Sequence, residues 1–240
     1  MGAGGIIVVL ALPTEEDPVA SRFYRSARAV SRPLVKMIWN HRVSGLENVP
    51  ATGGFVIASN HLAYIDSFLI PVVIPRTVRF VAKDSLWEQK GPQGAVMRWF
   101  FDTVGAVPVD REELASGKGA LQAALQILRD GDAFGIFPEG TRSKDGLLHP
   151  GKQGAAWLAL ESGCPVVPVG LKGTQHMLDA VPPERGTVSV RIGAPIRVED
   201  VDPSASKGAR RRLLNQRIMA DIQALSGQRR AGERTARTGA

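Results

Sequence analysis

Two short stretches of this 240-residue chain hold residue types that move protons and grip anions. The first is Ser59-Asn60-His61-Leu62-Ala63-Tyr64-Ile65-Asp66. A histidine beside a carboxylate is a general-base arrangement: the carboxylate fixes the imidazole tautomer and stabilises the imidazolium that forms. On one continuous helix the His61–Asp66 spacing amounts to about 140° of rotation, with no shared face. The two side chains therefore meet only if His61 lies on a turn and Asp66 starts the next helix. The same residues also fit a plain polar turn with Asp66 as N-cap.

The second stretch is Ile136-Phe137-Pro138-Glu139-Gly140-Thr141-Arg142-Ser143. Gly140 allows close backbone approach to a ligand, Thr141 offers a hydroxyl, and Arg142 offers a planar fork suited to phosphate. Glu139 is read as orienting the arginine or holding a ligand hydroxyl. A Pro-Glu-Gly turn with a solvated arginine is the other reading. Lys83 and Arg111 join these candidates. They fall at or just beyond the ends of two further predicted strands, so Lys83, Arg111 and Arg142 would converge as cations beside His61.

The elements that must position these residues follow from periodicity. Short apolar runs predict strands at Phe55–Ser59, Val78–Lys83, Gly105–Val109, Ala133–Phe137, Val166–Leu171 and Val188–Ile192. Helices are predicted at Ser67–Ile74, Ser85–Phe101, Leu114–Arg129, Gln153–Ser162 and Lys207–Leu225. The alternation predicts an α/β fold, a central and mostly parallel sheet flanked by helices. In such sheets, sites gather at the carboxyl ends of strands. Both motifs and both added cations sit at such ends.

Composition sets the outer limits. The chain is 44% hydrophobic and 22% charged, a globular balance. One cysteine, Cys164, excludes an internal disulfide framework and a Cys-rich zinc site, and no metal site is expected. The net charge of +7 is concentrated at the two ends of the chain. Residues 1–17 read as an N-terminal segment whose apolar run, Gly5–Leu12, is too short to span a bilayer. That run also lacks a basic flank and is not read as a signal peptide. Residues 18–44 read as basic amphipathic helices divided at Pro33, with Val19, Phe23, Ala27, Val30, Leu34 and Ile38 on one face. Residues 45–225 form the predicted α/β domain. Residues 226–240 read as a basic tail without order. Serine-hydrolase, zincin, nucleotide-phosphate and dinucleotide motifs are all absent.

Asn-His-x-x-x-x-Asp at residues 60–66, followed by Phe-Pro-Glu-Gly-Thr-Arg-Ser at 137–143, resembles the glycerophospholipid acyltransferase family. The likeness runs from about Val43 to Pro195. Val167-Pro168-Val169 matches a fourth motif, and Gly105–Arg111 matches a second in its Gly and Arg. It departs at Pro108-Val109, where the family carries an aromatic–aliphatic pair. The resemblance implies acyl transfer from acyl-CoA or acyl-carrier protein to the free hydroxyl of a lysophosphatidic acid, giving phosphatidic acid. It implies His61 as general base, Asp66 as its orienter, and Glu139, Gly140, Thr141 and Arg142 on the acceptor, with Lys83 and Arg111 aiding at the phosphate. The thioester is its own activated group, so neither an enzyme nucleophile nor a cofactor is expected. Oxyanion donors are sought among the backbone N–H groups of the His61 turn. The basic N-terminal helices become a peripheral docking face for an anionic membrane at its cytoplasmic side.

Two other readings compete with that one, the first within the same class. A relative acting on glycerol 3-phosphate, another lysophospholipid or a glycolipid would carry the same motifs. A non-catalytic nucleic-acid-binding protein would use Arg210-Arg211-Arg212 and the basic tail. Such proteins interleave aromatics with cations, and the tail has no aromatic residue. His41 and His149 are expected at the surface, and Trp87 and Trp99 are candidates to flank the acyl chain.

Overall fold

In the computed structural model the described residues are 35–37, 39–83, 107–109, 118–177 and 186–233, with Ala29, Pro33, Gly91 and Glu184. The strands are β1 (Arg42–Ser44), β2 (Phe55–Ser59), β3 (Val78–Arg79), β4 (Val81–Lys83), β5 (Val107–Val109), β6 (Ala133–Ile136), β7 (Val166–Lys172) and β8 (Ser189–Ile192). Six of them form one sheet in the order β1-β8-β7-β2-β6-β3. All neighbours in it are parallel except β7 and β8. This is the mostly parallel α/β sheet expected.

All five residues of β2 are buried, the pattern of a central strand covered on both faces. Alternate side chains point to opposite faces. Val56 and Ala58 join a core with residues of α2 (Lys118–Arg129), α3 (Gly154–Ser162) and α4 (Lys207–Ser226). Phe55 and Ile57 join a second core with Leu69, Ile70 and Val73 of α1 (Asp66–Val73). Each fully buried Leu or Ile in these cores contributes about 1.5–3 kcal/mol. Two cores, one on each face, fix the sheet between helical layers.

The structure departs from the sequence reading in three places. Residues 42–44, expected as the end of the N-terminal helices, form β1 and pair in parallel with β8. The helix stops at Asn40, which takes a positive φ of 42° while its N–H still reaches the Lys36 carbonyl. Asn is one of the few non-glycine residues that adopts this conformation readily.

The single strand expected over Val78–Lys83 is split. β3 pairs with β6, while β4 leaves to pair with β5 in a separate two-stranded sheet. Phe80 stands at the break. Its ring lies over Gly135, where any Cβ would overlap it.

The third departure is in the basic tail. Its described part, residues 227–233, is hydrogen-bonded to the body through Leu148.

Of the expected docking helices, Val35 is buried in the second core and Trp39 donates to the Met177 carbonyl at 2.6 Å. Lys36 and Met37 are exposed. Residues 1–28, most of 30–38, the expected helix 85–101 apart from Gly91 but including Trp87 and Trp99, residues 114–117 and residues 234–240 lie outside the described part. Among the described residues no helix is long and apolar enough to cross a membrane.

Candidate active site

β2 and β6 are parallel neighbours, in register from Phe55↔Ala133 to Ala58↔Ile136. They therefore end at the same edge of the sheet. The chain leaves β2 into Asn60-His61 and leaves β6 into Phe137-Pro138-Glu139. Parallel pairing alone brings the two motifs together.

The turn after β2 is wrapped around one carboxylate. Asp66 is fully buried, in the first turn of α1, where the helix dipole favours a negative charge. Its Oδ2 accepts the Leu62 N–H at 2.6 Å and the Ala63 N–H at 2.7 Å. The same oxygen lies 3.0 Å from His61 Nδ1. This resolves the spacing problem: residues 61–65 curl back, so a helix-start carboxylate meets a histidine on the preceding turn. The His61 ring stacks on Phe137, with centroids 3.9 Å apart and planes at 12°. Phe137 in turn stacks on Phe80 at 5.5 Å. The ring is held by its Nδ1 side and one face, with Nε2 on the opposite edge.

Glu139 ties the second motif to the first. Its Oε1 accepts the His61 N–H at 3.0 Å and its Oε2 accepts the His149 N–H at 3.0 Å. The Ser143 N–H returns a bond to the His61 carbonyl at 2.8 Å. Burial pushes the Glu139 carboxyl above its ordinary value, and the backbone N–H groups of His149 and His61 draw it part of the way back. The N–H groups of His61, Leu62 and Ala63 are thus all committed to carboxylates. They are not available as the oxyanion donors expected in this turn.

The remaining members of the second motif stay outside. Gly140 takes a positive φ of 73° in a turn closed by its N–H on the Phe137 carbonyl. Gly140 and Thr141 are exposed. The Arg142 guanidinium lies 3.6 Å from the centroid of the Tyr64 ring, itself 73% exposed. A residue of the first motif therefore carries the arginine of the second. Lys83 ends β4, opposite Val109 of β5. Arg111 and the Lys83 side chain lie outside the described part. Among the described residues no group of three His, Cys, Asp or Glu side chains gathers as a metal site.

Residues 40–172 match the sequence profile of the acyltransferase family. The chain is 32% identical over 184 residues to the 1-acyl-sn-glycerol-3-phosphate acyltransferase of Bacillus subtilis (strain 168), covering 74% of this chain and 85% of that one. This chain belongs to the acyltransferase family. A second relative, the chloroplastic 1-acyl-sn-glycerol-3-phosphate acyltransferase BAT2 of Brassica napus, is 29% identical, over 72% of this chain and 51% of its own. The crystal structure of the 1-acyl-sn-glycerophosphate (LPA) acyltransferase of Thermotoga maritima superposes with a TM-score of 0.60 at 26% identity, covering 86% of this chain and 78% of that one.

In this acyltransferase several residues of the site had no role assigned to them from the sequence. Asn60 is fully buried and exchanges two bonds with Leu171, donating to its carbonyl at 2.9 Å and accepting its N–H at 2.7 Å. It thereby anchors the His61 turn to β7. Lys152 packs its aliphatic end and ammonium against Gly140, adding a cation to the motif. The signal for Lys152 was its place ten residues beyond Arg142, too common a pattern to single out. His41, expected at the surface, is buried, whereas His149 is partly exposed as expected. Its ring lies 2.9 Å from Asp145, whose carboxyl is held down to about 2 by the Leu147 N–H, then by His149 and Ser143.

Proposed function

We infer that this acyltransferase moves a fatty acyl group from a thioester, acyl-CoA or acyl-carrier protein, to the free hydroxyl of a 1-acyl-glycerol 3-phosphate, giving phosphatidic acid. The observation that carries this reading is the His61 Nδ1–Asp66 Oδ2 contact of 3.0 Å beside the turn that presents Arg142. The activity named for the Bacillus subtilis and Thermotoga maritima relatives supports it.

The chemistry follows from the hydrogen-bond inventory. Asp66 Oδ2 already receives two N–H donors, so it acts as an ionised acceptor, and His61 Nδ1 carries the proton that faces it. His61 Nε2 then presents a lone pair. It takes the acceptor's hydroxyl proton as the oxygen attacks the thioester carbonyl. The tetrahedral intermediate collapses with cleavage of the C–S bond. The proton passes from Nε2 to the departing thiolate, and His61 ends as it began. Base assistance of this kind is worth about 10²–10⁴ in rate.

Arg142 rests its flat face on Tyr64 and keeps its N–H fork for the acceptor phosphate. Gly140 and Thr141 border that phosphate, and Lys83 and Arg111 supply further positive charge. The basic segment that precedes β1 docks the enzyme peripherally on an anionic membrane at its cytoplasmic face, where a lipid acceptor resides. Glu139 acts as a brace, since both its oxygens hold backbone N–H groups.

The test is transfer to 1-acyl-glycerol 3-phosphate in mixed micelles by wild type and His61→Ala, with palmitoyl-CoA and palmitoyl-carrier protein as donors. His61→Ala is expected to lose at least about 10²-fold in kcat with its fold intact. Near-normal transfer by that variant would overturn the mechanism.

A further inference from the structure

The basic stretch that follows α4 has no part in the chemistry described so far, yet it reaches the catalytic turn. We propose that residues 228–231 are a strap that positions His61, with Gln228 as a positioning residue for acyl transfer. This rests on the reading of His61 as the base.

Gln228 bridges two separate pieces of the site. Its Oε1 accepts from Asn60 Nδ2 at 2.8 Å, and its Nε2 donates to the Gly146 carbonyl at 2.9 Å. Asn60 is fully buried, and the other partners of its side chain are both on Leu171. An amide nitrogen has two protons to place, one here on the Leu171 carbonyl and the other on Gln228. Gln228 therefore completes the bonding of the residue directly before His61.

The backbone beside Gln228 makes a second connection. The Leu148 N–H donates to the Arg229 carbonyl at 2.8 Å, and the Ala231 N–H donates to the Leu148 carbonyl at 2.9 Å. Leu148 is buried and adjoins His149, whose N–H is held by Glu139. The other oxygen of Glu139 holds the His61 N–H. The strap thus approaches His61 from two sides, through Asn60 and through the 146–149 loop.

Two glycines put the strap where it is. Gly170 of β7 lies under the Leu225–Ser226 backbone, where a Cβ would overlap it, so the last turn of α4 rests on the sheet beside Leu171. Gly227 then ends α4 with a positive φ of 72° and turns the chain toward Asn60. Proton transfer needs the base aligned with the hydroxyl, and a displacement of about 1 Å at such a site can cost about 10²-fold.

The test uses the full chain in mixed micelles. It compares kcat, KM for both substrates and melting temperature for wild type, Gln228→Leu, Gln228→Ala, Gln228→Glu and His61→Ala. Gln228→Leu and Gln228→Ala remove the acceptor for Asn60; Gln228→Glu keeps it but gives up the donor to the Gly146 carbonyl. The expected result is an about tenfold lower kcat per folded molecule in Gln228→Leu or Gln228→Ala, with both KM values within about twofold of wild type. Gln228→Glu is expected to recover most of the loss. A purely structural role would lower the melting temperature and the folded fraction without this split or this rescue. A fall in kcat below about threefold or a loss confined to KM overturns the strap, while a Gln228→Glu as poor as Gln228→Leu puts its weight on the bond to Gly146. An active His61→Ala overturns the base reading instead. An inactive His61→Ala with a normal Gln228→Leu overturns the strap alone.

Discussion

The site is built on two buried carboxylates that meet at His61 and do different things there. Asp66 gathers the Leu62 and Ala63 N–H groups and the His61 ring on one oxygen. Its Oδ1 is buried with no hydrogen-bond partner among the described residues. Glu139 divides its oxygens between His61 and His149, two segments that are distant in sequence, and it meets neither imidazole ring through a hydrogen bond. Concentrating every donor on one atom gives a local device that aims a ring. Spreading donors over two atoms gives a clamp between loops. A carboxylate's role in a site is therefore read from what its oxygens hold, not from its presence in a motif.

The difference is sharpest in two isosteric amides. Asp66→Asn keeps an oxygen for the Leu62 and Ala63 N–H groups but cannot serve an imidazole as an anion, so kcat should fall by about 10³–10⁴. Steady-state rates against an unchanged circular-dichroism spectrum would check this. Glu139→Gln keeps one acceptor and turns the other into a donor, which leaves a buried N–H facing a donor. That variant should lose about 1–3 kcal/mol of stability in thermal melts, and its kcat should fall less than that of Asp66→Asn. If Glu139→Gln instead abolished activity with no change in melting, Glu139 would be touching the acceptor and the contrast would be lost.

A smaller effect tests the exposed side of the same turns. Tyr64→Ala should raise KM for the lysophosphatidate about twofold to fivefold, because exposed cation–π contacts are worth about 0.5–1 kcal/mol. Tyr64→Phe should behave as wild type, since the ring face is what Arg142 meets.

The smallest effect separates two carboxylates of one loop by pH. Burial raises the Glu139 carboxyl above 4.5, so the folded state keeps that proton longer than the unfolded state. Its contribution to stability therefore declines as pH rises above 4.5. Asp145 is lowered from 3.8 to about 2, so its contribution is complete above 3.8 and fades as pH falls toward 2. Melting temperature against pH should flatten above pH 4.5 in Glu139→Gln. It should change only slightly in Asp145→Asn, whose carboxylate is exposed and screened.

Much of the scaffold was legible in the sequence. Phe55–Ser59 emerges with the bounds expected, and Ala133–Ile136 and Val166–Lys172 differ by one residue at one end. Continuous apolar runs ended by polar turns leave little choice of structure. His61 and Asp66 meet as their chemistry required. Other features gave no local warning. β1 exists because β8 is there to pair with it, and three residues of mixed character do not announce a strand. Phe80 divides a strand because Gly135, far along the chain, leaves room for its ring. Glu139 read as a ligand residue because a motif shows its neighbours in sequence, not the N–H groups that fill its oxygens.

By itself the sequence determined an α/β fold and two motifs, at the ends of two central strands, whose residue types move protons and grip anions. Those properties are local, set by side-chain type and by periods of two or 3.6 residues. Tertiary structure alone decided which carboxylate aims and which clamps, that Tyr64 carries Arg142, and that Gln228 completes Asn60. These are pairings between ordinary polar residues up to 168 positions apart. Only the packing of α4 against the sheet brings the most distant of them within hydrogen-bonding range.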